Sequence, residues 1–260
     1  MRTRLDGVIL SSAASLLRSQ IEASLANRIP GALTMRPMMA PETIPLGIAD
    51  LDQKSVAVPR GCLTEICGPI SSGRTTVLLS LMREVTQKGE CCALVDTNSA
   101  FNPVSALANG VHLGRLLCVR CAAPHPKLTP IEKALRAADW LISAGGFGLV
   151  VLDLADVEPH LAQKIPLATW YRFQRAVEST SAAFVVMERQ PFAKSCASLV
   201  ITLRSREANW SPTLGQPQNQ KLLTGVVFAA SISRSRVDVS QRKPAGNSGT
   251  EFSAATSWAG

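Results

Sequence analysis

Gly68-Pro69-Ile70-Ser71-Ser72-Gly73-Arg74-Thr75 is the stretch that decides the fold. It matches the phosphate-binding loop G-x-x-x-x-G-K-[ST] at every fixed position but one, where Arg74 stands for lysine. Gly68 and Gly73 let the backbone turn tightly, so that successive N–H groups form a nest able to hold a phosphate. The helix expected to begin near Gly73 adds the positive end of its dipole. Thr75 offers a hydroxyl to Mg²⁺, and Ser71, Ser72, Arg74 and Thr76 complete the candidate nucleotide-binding set. Arg74 keeps the charge but brings a wide planar fork where a compact ammonium is expected. Nucleotide binding is therefore expected, and efficient phosphoryl transfer is not.

The flanks supply the context that the motif needs. Cys62-Leu63-Thr64-Glu65-Ile66-Cys67 reads as a short strand, and Val77, Leu78, Leu81, Met82 and Val85 recur at helical spacing. The competing reading is a Gly/Ser turn between unrelated elements, and strand–loop–helix order argues against it. Downstream, Cys91–Asp96, Leu116–Val119, Gly148–Asp153 and Ala183–Met187 read as buried strands separated by helices around Ile131–Leu141 and Trp170–Val177. Continuous apolar strands alternating with helices predict an α/β core with a mainly parallel sheet covered on both faces. Ser198–Leu203 and Thr224–Ala230 follow without a helix and are expected to close the sheet as antiparallel strands.

Around this core, residues 8–27 predict an amphipathic N-terminal helix, and Pro30, Pro37, Pro41 and Pro45 mark a linker. The expected organisation is helix and linker over 1–45, core over 46–239, and a disordered Ser/Gly/Ala/Thr-rich tail over 240–260.

Charge is uneven along the 260 residues. Of the formal net charge of +8, residues 189–243 carry nine Lys/Arg against only Glu207 and Asp238. A basic C-terminal third suits a polyanion, nucleic acid being the commonest, against a bland solvated face. The seven cysteines lie mostly on apolar runs and suit buried thiols in a reducing compartment; Cys118-x-x-Cys121 lacks the second pair of a zinc site. No apolar stretch approaches membrane-spanning length, so no membrane contact is expected and the location read from sequence is cytoplasmic.

A phosphate loop requires a second acidic group at a neighbouring strand end to hold Mg²⁺. Asp153, closing Leu149-Val150-Val151-Leu152, fits; a strand-end aspartate that merely caps a turn is the alternative. Hydrolysis also requires a group to orient or deprotonate water, and Asp96-Thr97-Asn98-Ser99 holds no glutamate.

Taken together, Gly61–Thr76, Asp96-Thr97-Asn98-Ser99-Ala100-Phe101-Asn102-Pro103 and Gly110–Cys118 resemble the bacterial recombinase RecA, with similarity over about residues 20–237. The resemblance implies a RecA-like fold with ATP and Mg²⁺ as cofactors. It places Asn98 where the family carries its catalytic glutamate, so no catalytic residue is expected. Ser105 falls where an aromatic contacts adenine, and Glu188-Arg189 where an Asn-Gln pair senses nucleotide. Arg234 and Arg236 fall on a Lys-x-Lys pair that reaches the neighbouring subunit's ATP. The second DNA-binding loop is reduced to about Arg189–Ser195, and Lys164, Arg189 and Lys194, on the loops that follow two neighbouring strands, are the expected single-stranded DNA contacts. The family's C-terminal domain has no counterpart in these residues.

This pattern of departures resembles the ImuA family of translesion-synthesis accessory factors. That resemblance implies as partners an inactive Y-family polymerase subunit and a C-family error-prone polymerase, with self-association or docking through the N-terminal helix. Two other readings share the loop. One is an active ATP-dependent recombinase or DNA-stimulated ATPase. The other is a small-molecule phosphotransferase, which leaves the basic C-terminal third unexplained.

Overall fold

The computed structural model describes residues 41–211, 221–236 and 249–255. The predicted N-terminal helix and most of its linker lie outside the described residues.

In chain order the elements are β1 (Thr43–Pro45), α1 (Ala49–Asp52), β2 (Ala57–Pro59), β3 (Leu63–Cys67), α2 (Arg74–Gln87), β4 (Cys92–Asp96), α3 (Pro103–Ala108) and β5 (Leu116–Arg120). There follow α4 (Pro130–Ala144), β6 (Leu149–Asp153), α5 (Pro159–Ala162), α6 (Leu167–Glu178), β7 (Ala183–Glu188), β8 (Leu199–Trp210), β9 (Leu223–Ser235) and β10 (Thr250–Ala255). The main sheet has the order β10-β9-β8-β3-β7-β6-β4-β5. Its strands from β8 to β5 run parallel, and β9 and β10 add an antiparallel edge.

The central strands are buried along almost their whole length because both faces are covered. On one face α2 packs Val77, Leu81, Met82 and Val85 against Ile66, Leu94, Val151 and Val185. On the other, α4 and α6 pack Ala134, Ala138, Ile142, Trp170 and Phe173 against Val150, Phe184, Val186 and Val200. The start of α4 is written locally. Thr129 Oγ1 accepts from the Glu132 N–H at 3.2 Å, the Glu132 carboxylate accepts from the Thr129 N–H at 2.8 Å, and Pro130 opens the first turn.

Two expectations are corrected. Ser198–Leu203 does not close the sheet antiparallel: β8 pairs with β3 in parallel, from Thr64 opposite Leu199 to Cys67 opposite Thr202. The connection from Glu188 to Leu199 is long enough to cross the sheet with only the 3₁₀ turn Lys194–Cys196 in place of a helix. The expectation of a disordered tail fails at its described residues. Thr250–Ala255 pairs antiparallel with β9, Phe252 opposite Phe228. Phe252 is 2% exposed, and its ring centroid lies 5.3 Å from that of Phe228. One buried aromatic among small polar residues makes an edge strand where composition alone indicates a coil.

Phe252→Ala should therefore destabilise the fold by about 3 kcal/mol, the low end for an aromatic truncated in a core. Urea unfolding reads this directly, and an unchanged midpoint would show that the strand is not docked.

Candidate nucleotide and nucleic-acid site

The phosphate loop joins the end of β3 to α2, and its two glycines are required sterically. A Cβ on Gly68 would lie 2.4 Å from Ser72 Oγ and 2.5 Å from the Leu203 carbonyl oxygen. A Cβ on Gly73, which caps α2 at φ +88°, would lie 2.9 Å from the Phe228 ring. Between them Ser71 also adopts positive φ (+61°). Alternation of this kind turns successive N–H groups to one side, which makes an anion nest at the mouth of a fourteen-residue helix. The Ser72 hydroxyl is buried at the base of the loop without a hydrogen-bond partner. An orphaned buried hydroxyl beside such a nest fits a phosphate-bearing ligand. Thr75, on the first turn of α2, is exposed, and Thr76 is half-buried.

Arg74 is 8% exposed, and its Nη1 donates to the Ala155 carbonyl at 3.2 Å. The same carbonyl accepts from Arg189 Nε at 3.2 Å. Two guanidiniums thus converge on one neutral acceptor just beyond the end of β6. Burial lowers the Arg74 pKa, the negative charges of Asp153 and Asp156 oppose that shift, and the charge of Arg189 adds to it.

Asp153 stands in register with Asp96 at the carboxyl ends of β6 and β4. Its Oδ1 accepts from the Ala155 N–H at 2.9 Å, so it closes a turn as well as facing the loop. Burial pushes its pKa up to about 6; the Ala155 hydrogen bond opposes the shift, Asp96 and Asp156 reinforce it, and Arg74 opposes it. Asp96 is taken up by its own loop, accepting from the N–H groups of Ala100 and Phe101 at 3.0 and 2.9 Å. Asn98, on that loop, is exposed, as is Ser105 on α3. Among the described residues no hydrogen bond holds the Asn98 side chain.

The basic residues separate into groups. Arg189 lies at the loop mouth, anchored by the Glu188 carbonyl, which accepts from the Gly68 N–H at 3.1 Å. Lys164 is exposed beyond α5, and Lys194 is exposed at φ +49° within the β7–β8 crossover. Arg234 pairs across to Val200, which pairs with Glu65, so it belongs to the face opposite α2. Its guanidinium donates to the Lys194 carbonyl. Arg236 is exposed just beyond β9. The fold thus brings Arg74, Asp153 and Arg189 together, brings Arg234 to Lys194, and keeps Lys164 apart.

A cleft of about 470 Å³ opens beside the loop, walled by Arg189, Gln190 and Pro191 on one side and by Thr202, Arg204 and Ser205 on the other, with Cys67 and Gly68 at its base. Arg204 was not singled out by the sequence. Only the parallel register of β8, which sets Thr202 beside Cys67, carries it to this edge.

Comparison with known proteins agrees with this geometry. The RecA N-terminal domain matches residues 13–162. Protein RecA of Rickettsia bellii (strain OSU 85-389) is 35% identical over 137 residues, covering 52% of this chain and 38% of that protein. Protein RecA of Rickettsia prowazekii (strain Madrid E) is 36% identical over the same shares. That of Ectopseudomonas oleovorans is 40% identical over 96 residues, 37% of this chain and 26% of that protein. The matches therefore span well under half of the curated relatives. The crystal structure of the RadB recombinase superposes with a TM-score of 0.52 at 17% identity, over 82% of this chain and 94% of that one, which supports the fold alone. With the family domain matched over more than half of its residues, this chain belongs to the RecA family.

Proposed function

We propose that this chain is a RecA-family DNA-repair accessory protein. In this reading it binds nucleotide and single-stranded DNA with weak or absent ATP hydrolysis, and it supports error-prone translesion synthesis with polymerase partners of the kind known for ImuA. The observation that carries it is the state of the catalytic positions. The phosphate nest is intact, Asn98 offers no carboxylate, and Arg74 is bonded to the Ala155 carbonyl. An amide cannot take a proton from water as a general base does. Thr75 and Asp153 would hold Mg²⁺, and bound ATP would supply the phosphoryl group whose charge Arg74 faces. Arg236, exposed beyond β9, would reach a neighbouring subunit's nucleotide, and Arg234 would do so on leaving the Lys194 carbonyl. The helix expected from the sequence over residues 8–27, with Leu16, Ile21 and Leu25, would provide self-association or partner docking.

The steady-state ATPase rate should lie near background with and without single-stranded DNA, while calorimetry detects Mg²⁺-dependent ATP binding. Asn98→Glu combined with Arg74→Lys should raise turnover. A wild-type rate stimulated strongly by DNA would favour the active-recombinase reading instead.

Single-stranded DNA is assigned to the cleft through Arg189 and Arg204, with Lys194 in the adjoining crossover and Lys164, set apart from the cleft, as further phosphate contacts. These are phosphate contacts, so affinity should fall steeply with salt. Arg204→Ala should reduce both affinity and the salt slope, the latter by about one unit, whatever the DNA sequence. Binding that ignores salt would reassign these residues to a protein partner. For the polymerase arm, a pull-down from cells with damaged DNA should recover both polymerase subunits, and recovery of neither would refute that part.

A further inference from the structure

Beneath the cleft lie two glutamates to which the proposed function assigns no contact with nucleotide or DNA. Glu65 on β3 and Glu188 on β7 are both fully buried, at 0% exposure. The strands are parallel neighbours, Glu65 opposite Val186 and Cys67 opposite Glu188. Side chains at alternate positions share a face, so both carboxyls lie on the α4–α6 side, one step apart diagonally. There the β7–β8 crossover closes over them.

Their bonding is unequal. Glu65 Oε1 accepts from the backbone N–H groups of Phe192 and Ala193, at 2.7 and 2.6 Å. Glu65 Oε2 and both oxygens of Glu188 have no partner. Neither residue forms an ion pair among the described residues. The cation that acts on Glu65 is Arg234, whose guanidinium is already engaged with the Lys194 carbonyl. The other titratable groups around the pair are Cys67 beside them on β3, Cys196 in the crossover, and Arg236 beyond β9. None of these supplies a hydrogen bond to the three free oxygens.

Two ionised carboxylates in such a place would be desolvated and would repel each other, and either effect alone is costly. One proton removes the repulsion and the desolvated charge of one member, and pairs two of the three orphaned oxygens. We propose that Glu188 is held protonated and donates to the free oxygen of an ionised Glu65, so that this single shared proton fixes the β7–β8 crossover over the cleft. Glu65 is the charged member because two backbone N–H bonds stabilise its anion, whereas Glu188 has nothing to offset its burial. The directions agree. Burial raises both pKa values, Glu188 well above the usual glutamate range with Glu65 adding to its shift, while the bonds from Ala193 and Phe192 hold Glu65 back. Neutral Glu188 is thus a positioning residue. It keeps Glu65 aimed at the amides of residues 192 and 193, and through them sets the wall formed by Arg189, Gln190 and Pro191.

The pH dependence follows from the sign of the shift. A carboxyl whose folded pKa exceeds its unfolded value binds its proton more tightly in the folded state. Its contribution is full below the unfolded pKa and is lost as pH rises toward the folded one. The folding equilibrium should weaken by up to about tenfold per pH unit across that interval.

The test does not need DNA or nucleotide, so it stands apart from the functional assignment. Infrared spectra of the full chain at neutral pH should show a buried protonated carboxyl band that shifts in D₂O and disappears in Glu188→Gln. Hydrogen exchange at the amides of residues 192 and 193, corrected for intrinsic rate, should lose protection by tenfold or more as pH rises in the wild type. Glu188→Gln, which mimics the neutral acid, should stay protected throughout. Absence of the band overturns the proposal, as does a Glu188→Gln variant that keeps the wild-type pH dependence. Stability that rises with added Na⁺ or Ca²⁺ would also overturn it, since a cation rather than a proton would then neutralise the pair.

Discussion

The close approach of the phosphate loop to β8 and β9 governs the arrangement of the site. Gly68 comes so near the Leu203 carbonyl, and Gly73 so near the Phe228 ring, that neither position has room for a side chain. These contacts tie the loop to strands far from it in sequence, and Phe228 is in turn supported by Phe252 on the edge strand. The nest is thereby preorganised before any ligand arrives, with Gly73 held at positive φ against the Phe228 ring. An antiparallel edge that looks peripheral is in fact the wall on which the loop rests.

Charge is distributed around that nest in an unusual way. Arg74 and Arg189 share the Ala155 carbonyl, and Asp153, whose pKa is raised to about 6, lies beside them. A guanidinium this broad finds a main-chain acceptor within reach when no phosphate is present, where a lysine would present a smaller, more mobile charge. The site therefore retains what binding requires, namely N–H groups, positive charge and a strand-end carboxylate. At the position where the resemblance expects a catalytic glutamate it carries Asn98. Binding without turnover is what the proposed function expects of these substitutions.

Much of this was legible in the sequence because the signals were local. The phosphate loop, the buried strands ending at Asp96 and Asp153, and the capped start of α4 are each written within a few residues. What escaped depends on distant partners. Nothing in Thr250–Ala255 announces that Phe252 will meet Phe228, since a single aromatic in a Ser/Ala-rich stretch has no period to detect. The parallel direction of β8 turns on a crossover that lacks a helix, the usual mark of such a connection. Arg204 joins the cleft only through that register, and Glu65 and Glu188 read as ordinary strand residues until β3 and β7 are set side by side.

Capture of phosphate by the nest with no base to activate water is the centre of the proposed function, and one structure determination tests it most directly. A crystal structure of the chain with Mg²⁺ and a non-hydrolysable ATP analogue should show the terminal phosphates in the Gly68–Thr75 nest. Arg74 should have left the Ala155 carbonyl for a phosphate oxygen, and no carboxylate should touch the water positioned for attack. A carboxylate on that water would contradict the account, as would a nucleotide bound elsewhere while Arg74 stays on Ala155.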